Sequence, residues 1–74
     1  MIEKAGIIGL GLIGGSIAKA LKYFNVCREI TACDNNSSYI EQALKEGIID
    51  TGSLKPDKSF ADCEIIFLCT PVNV

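Results

Sequence analysis

A glycine pattern near the N-terminus has the spacing needed to bind nucleotide phosphates; it reads Gly9-Leu10-Gly11-Leu12-Ile13-Gly14. The three glycines of this G-x-G-x-x-G pattern differ in what they permit. Gly9 allows a tight turn, Gly11 lets a pyrophosphate approach the backbone, and Gly14 lets a helix pack closely on a strand. The backbone N–H groups from about Leu12 to Gly14 would then face the phosphates at the positive end of a helix dipole. A glycine turn that serves only tight packing is the alternative.

Asp34 is the second candidate, because it follows Gly14 by 20 residues and stands at the end of the second predicted strand. A carboxylate in that position can accept hydrogen bonds from the ribose hydroxyls of an adenosine. The alternative is that Asp34 only opens a turn before Asn35. Because the residues from Asn35 to Ser38 are uncharged, nothing in that turn would balance a 2′-phosphate, and the pattern favours NAD over NADP.

The end of the last predicted strand, at Thr70 and Pro71, is the third candidate. This strand should lie beside the first strand, and doubly wound folds bind ligands at the gap between two such strands. Backbone atoms near Thr70 and Pro71 would then border a nucleotide; a strand end capped by the proline is the alternative. We expect Cys69 to pack rather than to act as a nucleophile, because the chain has no histidine to activate its thiol.

The elements that must position these residues are strands alternating with helices, the pattern of a parallel sheet with right-handed crossovers. Apolar runs predict strands over residues 5–9, 29–33 and 63–70, and a short edge strand over residues 48–51. The predicted fold class is α/β, a Rossmann-type parallel sheet. The order β-α-β-α-β-β corresponds to the first half of a doubly wound dinucleotide-binding domain.

Two helices are predicted between these strands. Apolar residues spaced three and four apart predict a first helix from Gly11 to about Phe24. Its buried face would consist of Ile13, Ile17, Ala18, Leu21 and Phe24. Ser38 and Glu41 form a capping box that would begin the second helix, and Gly47 would end it.

Composition argues against several other classes of function. The 74 residues carry 7 basic and 9 acidic side chains, so no basic surface for nucleic acid is expected. No apolar run approaches the length of a membrane-spanning helix. The absence of histidine and of any C-x-x-C pair argues against a metal site. The 4 cysteines favour free thiols in a reducing cytoplasm, with a two-disulfide secreted domain as the alternative.

The run from Ile7 to Ser16 resembles the N-terminal segment of prephenate dehydrogenases, as do Asp34 and the segments 43–50 and 61–72. That family decarboxylates prephenate oxidatively to 4-hydroxyphenylpyruvate, in tyrosine biosynthesis, and passes a hydride to NAD or NADP. The resemblance implies which residues of this chain hold the cofactor, namely Gly9, Gly11, Leu12, Ile13, Gly14 and Asp34, with Thr70 and Pro71 bordering it.

The resemblance also implies that the family's catalytic histidine, substrate-binding arginine and helical dimerisation domain lie outside these residues. We therefore assign no catalytic residue and expect residues 1–74 to be the N-terminal part of a dinucleotide-binding domain. Such a chain would be inactive alone and would belong to a full-length homodimer. Prephenate and arogenate are not distinguished as substrates. A free-standing nucleotide-binding or regulatory module, or part of another 3-hydroxyacid-type dehydrogenase, remains an alternative.

Overall fold

The computed structural model of the chain describes residues 1–70. It contains one four-stranded parallel sheet with the strand order β3-β2-β1-β4. The elements follow in the chain as β1 (Ile2–Ile8), α1 (Leu12–Tyr23), β2 (Cys27–Cys33), α2 (Ser37–Glu46), β3 (Thr51–Ser53), a short 3-10 helix (Lys58–Phe60) and β4 (Ile65–Leu68). The predicted alternation of strands and helices is confirmed, and β4 lies beside β1 as expected.

The hydrophobic core lies between the sheet and the two α-helices. Side chains of one face of the sheet are fully buried in it, among them Ile7 of β1 and Ile30 of β2. Ala18 and Leu21 of α1, together with Ile40 of α2, pack into the same cluster. Successive residues of a strand face opposite sides of the sheet. The residues next to Ile7 and Ile30 in their strands therefore point away from the helices.

The opposite face of the sheet is covered at its centre by the 3-10 helix. A side chain at Gly6 would lie 2.7 Å from the Phe60 ring, so glycine is needed there for this contact. The hydroxyls of Thr31 and Ser59 are hydrogen bonded at 3.0 Å across the same interface. Further along this face, Leu68 of β4 remains 74% exposed.

Several predicted boundaries were wrong, and local hydrogen bonds explain why. The capping box at Ser38 does not begin α2; the cap is Asn36, whose side chain accepts from the Ser38 N–H at 3.1 Å. The edge strand begins at Thr51 because the Ile48 N–H still bonds to Ala43 at the end of α2. The end of α2 itself is as predicted, since Gly47 adopts a left-handed conformation with φ of 73°.

The predicted buried face of α1 was also partly wrong. Ile13 is 67% exposed and Phe24 is 69% exposed, whereas Ala18 and Leu21 are buried as expected. Ile13 lies in the first turn of α1, whereas the buried residues Ala18 and Leu21 lie further along the helix. Phe24 lies just past the last residue of the helix. Among residues 1–70, no helix has the length and apolarity to cross a membrane.

Candidate functional site

A cleft of about 870 Å³ lies at the carboxyl ends of the strands, where the chain order reverses between β1 and β4. Parallel α/β sheets bind their ligands at such a switch point. The loops that follow β1, β2, β3 and β4 all contribute to its walls; the lining residues are Ile8, Gly9, Gly11, Leu12, Ile13, Cys33, Asp34, Asn35, Asn36, Tyr39, Leu54, Lys55, Pro56, Cys69 and Thr70.

The glycine turn lines this cleft, and its first residue has a conformation that favours glycine. Gly9 has φ of 98°, which side chains other than hydrogen rarely tolerate. Its N–H donates to the Cys33 carbonyl at 2.8 Å, so the turn stays attached to β2. A Cβ at Gly9 would lie 3.0 Å from the backbone nitrogen of Thr70, which brings the loop after β4 against the turn.

The other two glycines of the pattern have opposite surroundings. A Cβ at Gly14 would collide with the Gly9 carbonyl and come within 3.0 Å of its carbon atom, so α1 approaches β1 as closely as two backbones allow. A Cβ at Gly11 would meet no atom within 4 Å. The space above Gly11 is therefore open to a ligand, while Gly14 lies behind the cleft in the contact between helix and strand.

The first turn of α1 presents backbone donors that no side chain caps. Its N-cap residue is Gly11, which has no side chain to accept from them, whereas α2 is capped by Asn36. The first N–H groups of a helix lack partners within the helix and carry a partial positive charge. Ser16 does not cap them, because its hydroxyl donates to the Leu12 carbonyl at 2.8 Å. An anion placed at this end would be stabilised by the free donors.

Asp34 lies at the end of β2 and is bonded to both sides of the cleft. Its Oδ2 accepts from the Leu10 N–H of the glycine turn at 2.7 Å, and its Oδ1 accepts from the Asn36 N–H at 2.8 Å. The second bond closes a turn after β2, which is the alternative role of this residue. A carboxylate has about four acceptor sites, so capacity for two or more further donors remains.

Neither cysteine of the cleft resembles a nucleophile. Burial raises the pKa of the Cys33 thiol, and the nearby charges of Asp34 and Asp57 add to that effect, so the thiol stays protonated. Cys69 packs against the hydrophobic core, as expected from the sequence. Within residues 1–70, no group of three or more His, Cys, Asp or Glu residues could hold a metal ion.

Most of the residues singled out from the sequence therefore meet at one cleft: Gly9, Gly11, Leu12, Ile13, Asp34 and Thr70 line it. Pro71 lies outside the described residues. Two parts of the lining were not predicted from the sequence: the wall that follows β3, formed by Leu54, Lys55 and Pro56, and Tyr39 of α2. Placing β3 at residues 51–53 instead of 48–51 would have put residues 54–56 at this edge of the sheet.

Comparison with protein families gives a match over residues 4–74 to the family described as NADP oxidoreductase, coenzyme F420-dependent. A prephenate dehydrogenase of Lactococcus lactis subsp. cremoris is 39% identical over 74 residues, which are 99% of this chain and 20% of that protein. A prephenate dehydrogenase of Bacillus subtilis is 34% identical over 67 residues, which are 90% of this chain and 18% of that protein. The chain thus spans about a fifth of the length of these curated relatives.

Two solved structures share the fold. The prephenate dehydrogenase of A. aeolicus, determined in complex with hydroxyphenyl propionate and NAD+, superposes with a TM-score of 0.85 at 30% identity over 96% of this chain and 25% of its own. The WlbA dehydrogenase from Chromobacterium violaceum, in complex with NADH and UDP-GlcNAcA, gives a TM-score of 0.74 at 23% identity over 95% of this chain and 21% of its own. The expected Rossmann-type fold and the resemblance to prephenate dehydrogenases are both confirmed.

Proposed function

Because the chain belongs to the family of NADP oxidoreductases described as coenzyme F420-dependent, we propose that it is the nicotinamide-dinucleotide-binding part of an oxidoreductase resembling prephenate dehydrogenases. One observation carries the proposal. The uncapped start of α1, the open space above Gly11 and the Asp34 carboxylate meet at the switch point of one parallel sheet. In dinucleotide-binding folds the pyrophosphate lies at such a glycine turn, and an acidic residue about 20 residues further on binds the adenosine ribose.

The pyrophosphate would lie over Gly11, against the first turn of α1. The backbone N–H groups of Leu12, Ile13 and Gly14 would donate to its oxygens, and the helix dipole would add to the attraction. The absence of a side chain at Gly9 and Gly14 would act indirectly, because it permits the turn and the close approach of α1 to β1. Thr70 would border the cofactor from the loop after β4, and we propose the same for Pro71.

The adenosine ribose would lie at Asp34, whose oxygens keep acceptor capacity beyond their bonds to Leu10 and Asn36. A carboxylate suits two neighbouring hydroxyls and repels a 2′-phosphate. We therefore propose NAD as the preferred cofactor. When bound, this cofactor accepts a hydride from the substrate, and the residues of this chain bind and orient it.

The activity of the whole protein is proposed by similarity. It would convert prephenate and NAD+ to 4-hydroxyphenylpyruvate, CO2 and NADH, within a homodimer. Because these 74 residues contain no histidine, the proton transfer and the substrate contacts would come from another segment, and residues 1–74 alone would not catalyse the reaction. The four cysteines are free thiols in the structure, which supports a location in the reducing cytoplasm.

Replacing Gly11 with alanine tests the proposed pyrophosphate position. The free protein should tolerate the methyl group, because Gly11 has φ of −66° and open space around it. The same methyl group would occupy the space of the pyrophosphate, and we expect the affinity for NAD+ to fall by roughly tenfold, equal to about 1.4 kcal/mol. Isothermal titration calorimetry with NAD+ measures this change.

Gly15→Ala is the matched control for this experiment. Gly15 lies in the first turn of α1, four residues after Gly11. A Cβ there would meet only the Leu10 carbonyl oxygen, at an ordinary 3.8 Å. Its affinity for NAD+ should equal that of the unaltered protein. Unchanged binding in the Gly11→Ala variant would show that the pyrophosphate does not lie over Gly11.

A further inference from the structure

We propose that Lys55 is a second determinant of cofactor choice: its ammonium group attracts the 2′-phosphate of NADP+, so that the site binds NADP+ in addition to NAD+, its preferred cofactor. This inference rests on the proposed function, since it concerns the same cleft. Asp34 alone would make the cleft reject a 2′-phosphate. Lys55 comes from a different loop, 21 residues further along the chain, and is the one cation that lines the cleft among residues 1–70.

The pairing of β2 with β3 brings the loop that carries Lys55 to the end of β2, where Asp34 lies. The last pair of that ladder joins Cys33 to Ser53. One residue later the Asp34 N–H donates to the Ser53 carbonyl at 3.1 Å. The loop after β3 therefore starts next to Asp34, the residue proposed to bind the ribose. Lys55 follows two residues after Ser53, and it lines the same cleft as Asp34 and Asn36.

The loop that carries Lys55 is held at both ends. The Ser53 hydroxyl donates to the Lys55 carbonyl at 2.9 Å, which fixes the turn directly after β3. On the other side, Asp57 caps the 3-10 helix by accepting from the Ser59 N–H at 2.9 Å, and Phe60 anchors that helix in a buried contact. Pro56 also restricts Lys55 to extended conformations. The lysine backbone therefore stays at the rim of the cleft.

The charge of Lys55 is available to a ligand. Some cations of the described residues form ion pairs, among them Lys4 with Asp62 and Lys22 with Asp50. Within residues 1–70 no ion pair involves Lys55, Lys45 or Lys58, and of these three only Lys55 lines the cleft. Asp34 is meanwhile bonded to two backbone N–H groups, whose dipoles offset part of its charge. A phosphate on the 2′ oxygen would thus meet one partly compensated anion and one unpaired cation.

Replacing Lys55 with glutamine tests this inference. The side chain is exposed, so the fold should be retained. Affinities for NADP+ and NAD+ are measured by isothermal titration calorimetry at low salt and again at about 0.5 M NaCl. Losing one solvent-exposed charge pair should weaken NADP+ binding about fivefold and leave NAD+ binding within about twofold. The difference should shrink at high salt, because the attraction is screened.

Lys58→Gln is the matched control, since it removes the same charge from the same segment at a residue that does not line the cleft. It should leave the ratio of the two affinities unchanged. Equal ratios in the Lys55→Gln variant and the unaltered protein, with NAD+ still bound, would overturn the role of Lys55 and leave the proposed function standing. Absence of binding by either dinucleotide to the unaltered protein would overturn both.

Discussion

Replacing Gly14 with alanine is expected to lower the free energy of unfolding by about 3 kcal/mol, at the upper end of the cost of overpacking. The new methyl group would collide with the Gly9 carbonyl, and a backbone atom cannot move aside as a flexible side chain can. Helix α1 would have to shift away from β1, which would also misplace the N–H groups at its start. Urea denaturation measures the stability; a loss of this size lowers Tm by roughly 12–24 °C in a domain of this length.

Gly15→Ala is again the control. Because the same substitution is made at adjacent residues, a difference in stability between the two variants reports the surroundings of Gly14. A helical alanine at residue 15 has room and should raise the free energy of unfolding by about 0.5–1 kcal/mol through its higher helix propensity. Equal stability of the two variants would contradict the close contact between α1 and the glycine turn.

Replacing Asp34 with alanine should weaken NAD+ binding by roughly 30- to 150-fold, the equivalent of about 2–3 kcal/mol for lost hydrogen bonds to a charged group. The substitution removes the acceptor for the ribose hydroxyls, and it also leaves the Leu10 N–H without the partner it has at 2.7 Å. Two measurements separate these effects. Calorimetry gives the affinity, and hydrogen exchange without ligand should show faster exchange at Leu10.

The control for this substitution is Asp62→Ala, which removes the same charge at a residue outside the cleft. Asp62 precedes β4 and pairs with Lys4 at 2.8 Å. Its affinity for NAD+ should be unchanged. If the Asp34→Ala variant bound NAD+ as tightly as the unaltered protein, Asp34 would be a turn residue only, and the ribose would have to lie elsewhere.

The features that local sequence determines were predictable. An apolar strand followed by G-x-G-x-x-G and an amphipathic helix defines the β1-α1 unit. Gly9 and Gly14 are required there by the conformation and the close packing of the backbone. The positions of Gly9, Gly14 and Asp34 follow from that unit and its crossover to β2. The parallel order of the sheet follows from the alternation of strands and helices.

Two kinds of feature were not predictable from local sequence: those for which two nearby residues are equally suitable, and those that depend on tertiary contacts. Asn36 and Ser38 are both good N-cap residues, and Asn36 is the cap because its side chain reaches the Ser38 N–H. Lys55 is distant from Asp34 in sequence, and only the register of β3 against β2 brings the two to one cleft. Ile13 has the spacing of an apolar helix face, yet it is exposed and lines the cleft instead of the core.

We propose that this chain binds a nicotinamide dinucleotide through the start of α1 and the end of β2. The most direct measurement is a titration of the purified 74-residue chain with NAD+, followed through its backbone amide NMR signals. We expect saturable shifts concentrated at residues 9–16 and around Asp34, with few changes at the amino ends of the strands. A dispersed spectrum that does not change on addition of NAD+ would contradict the account.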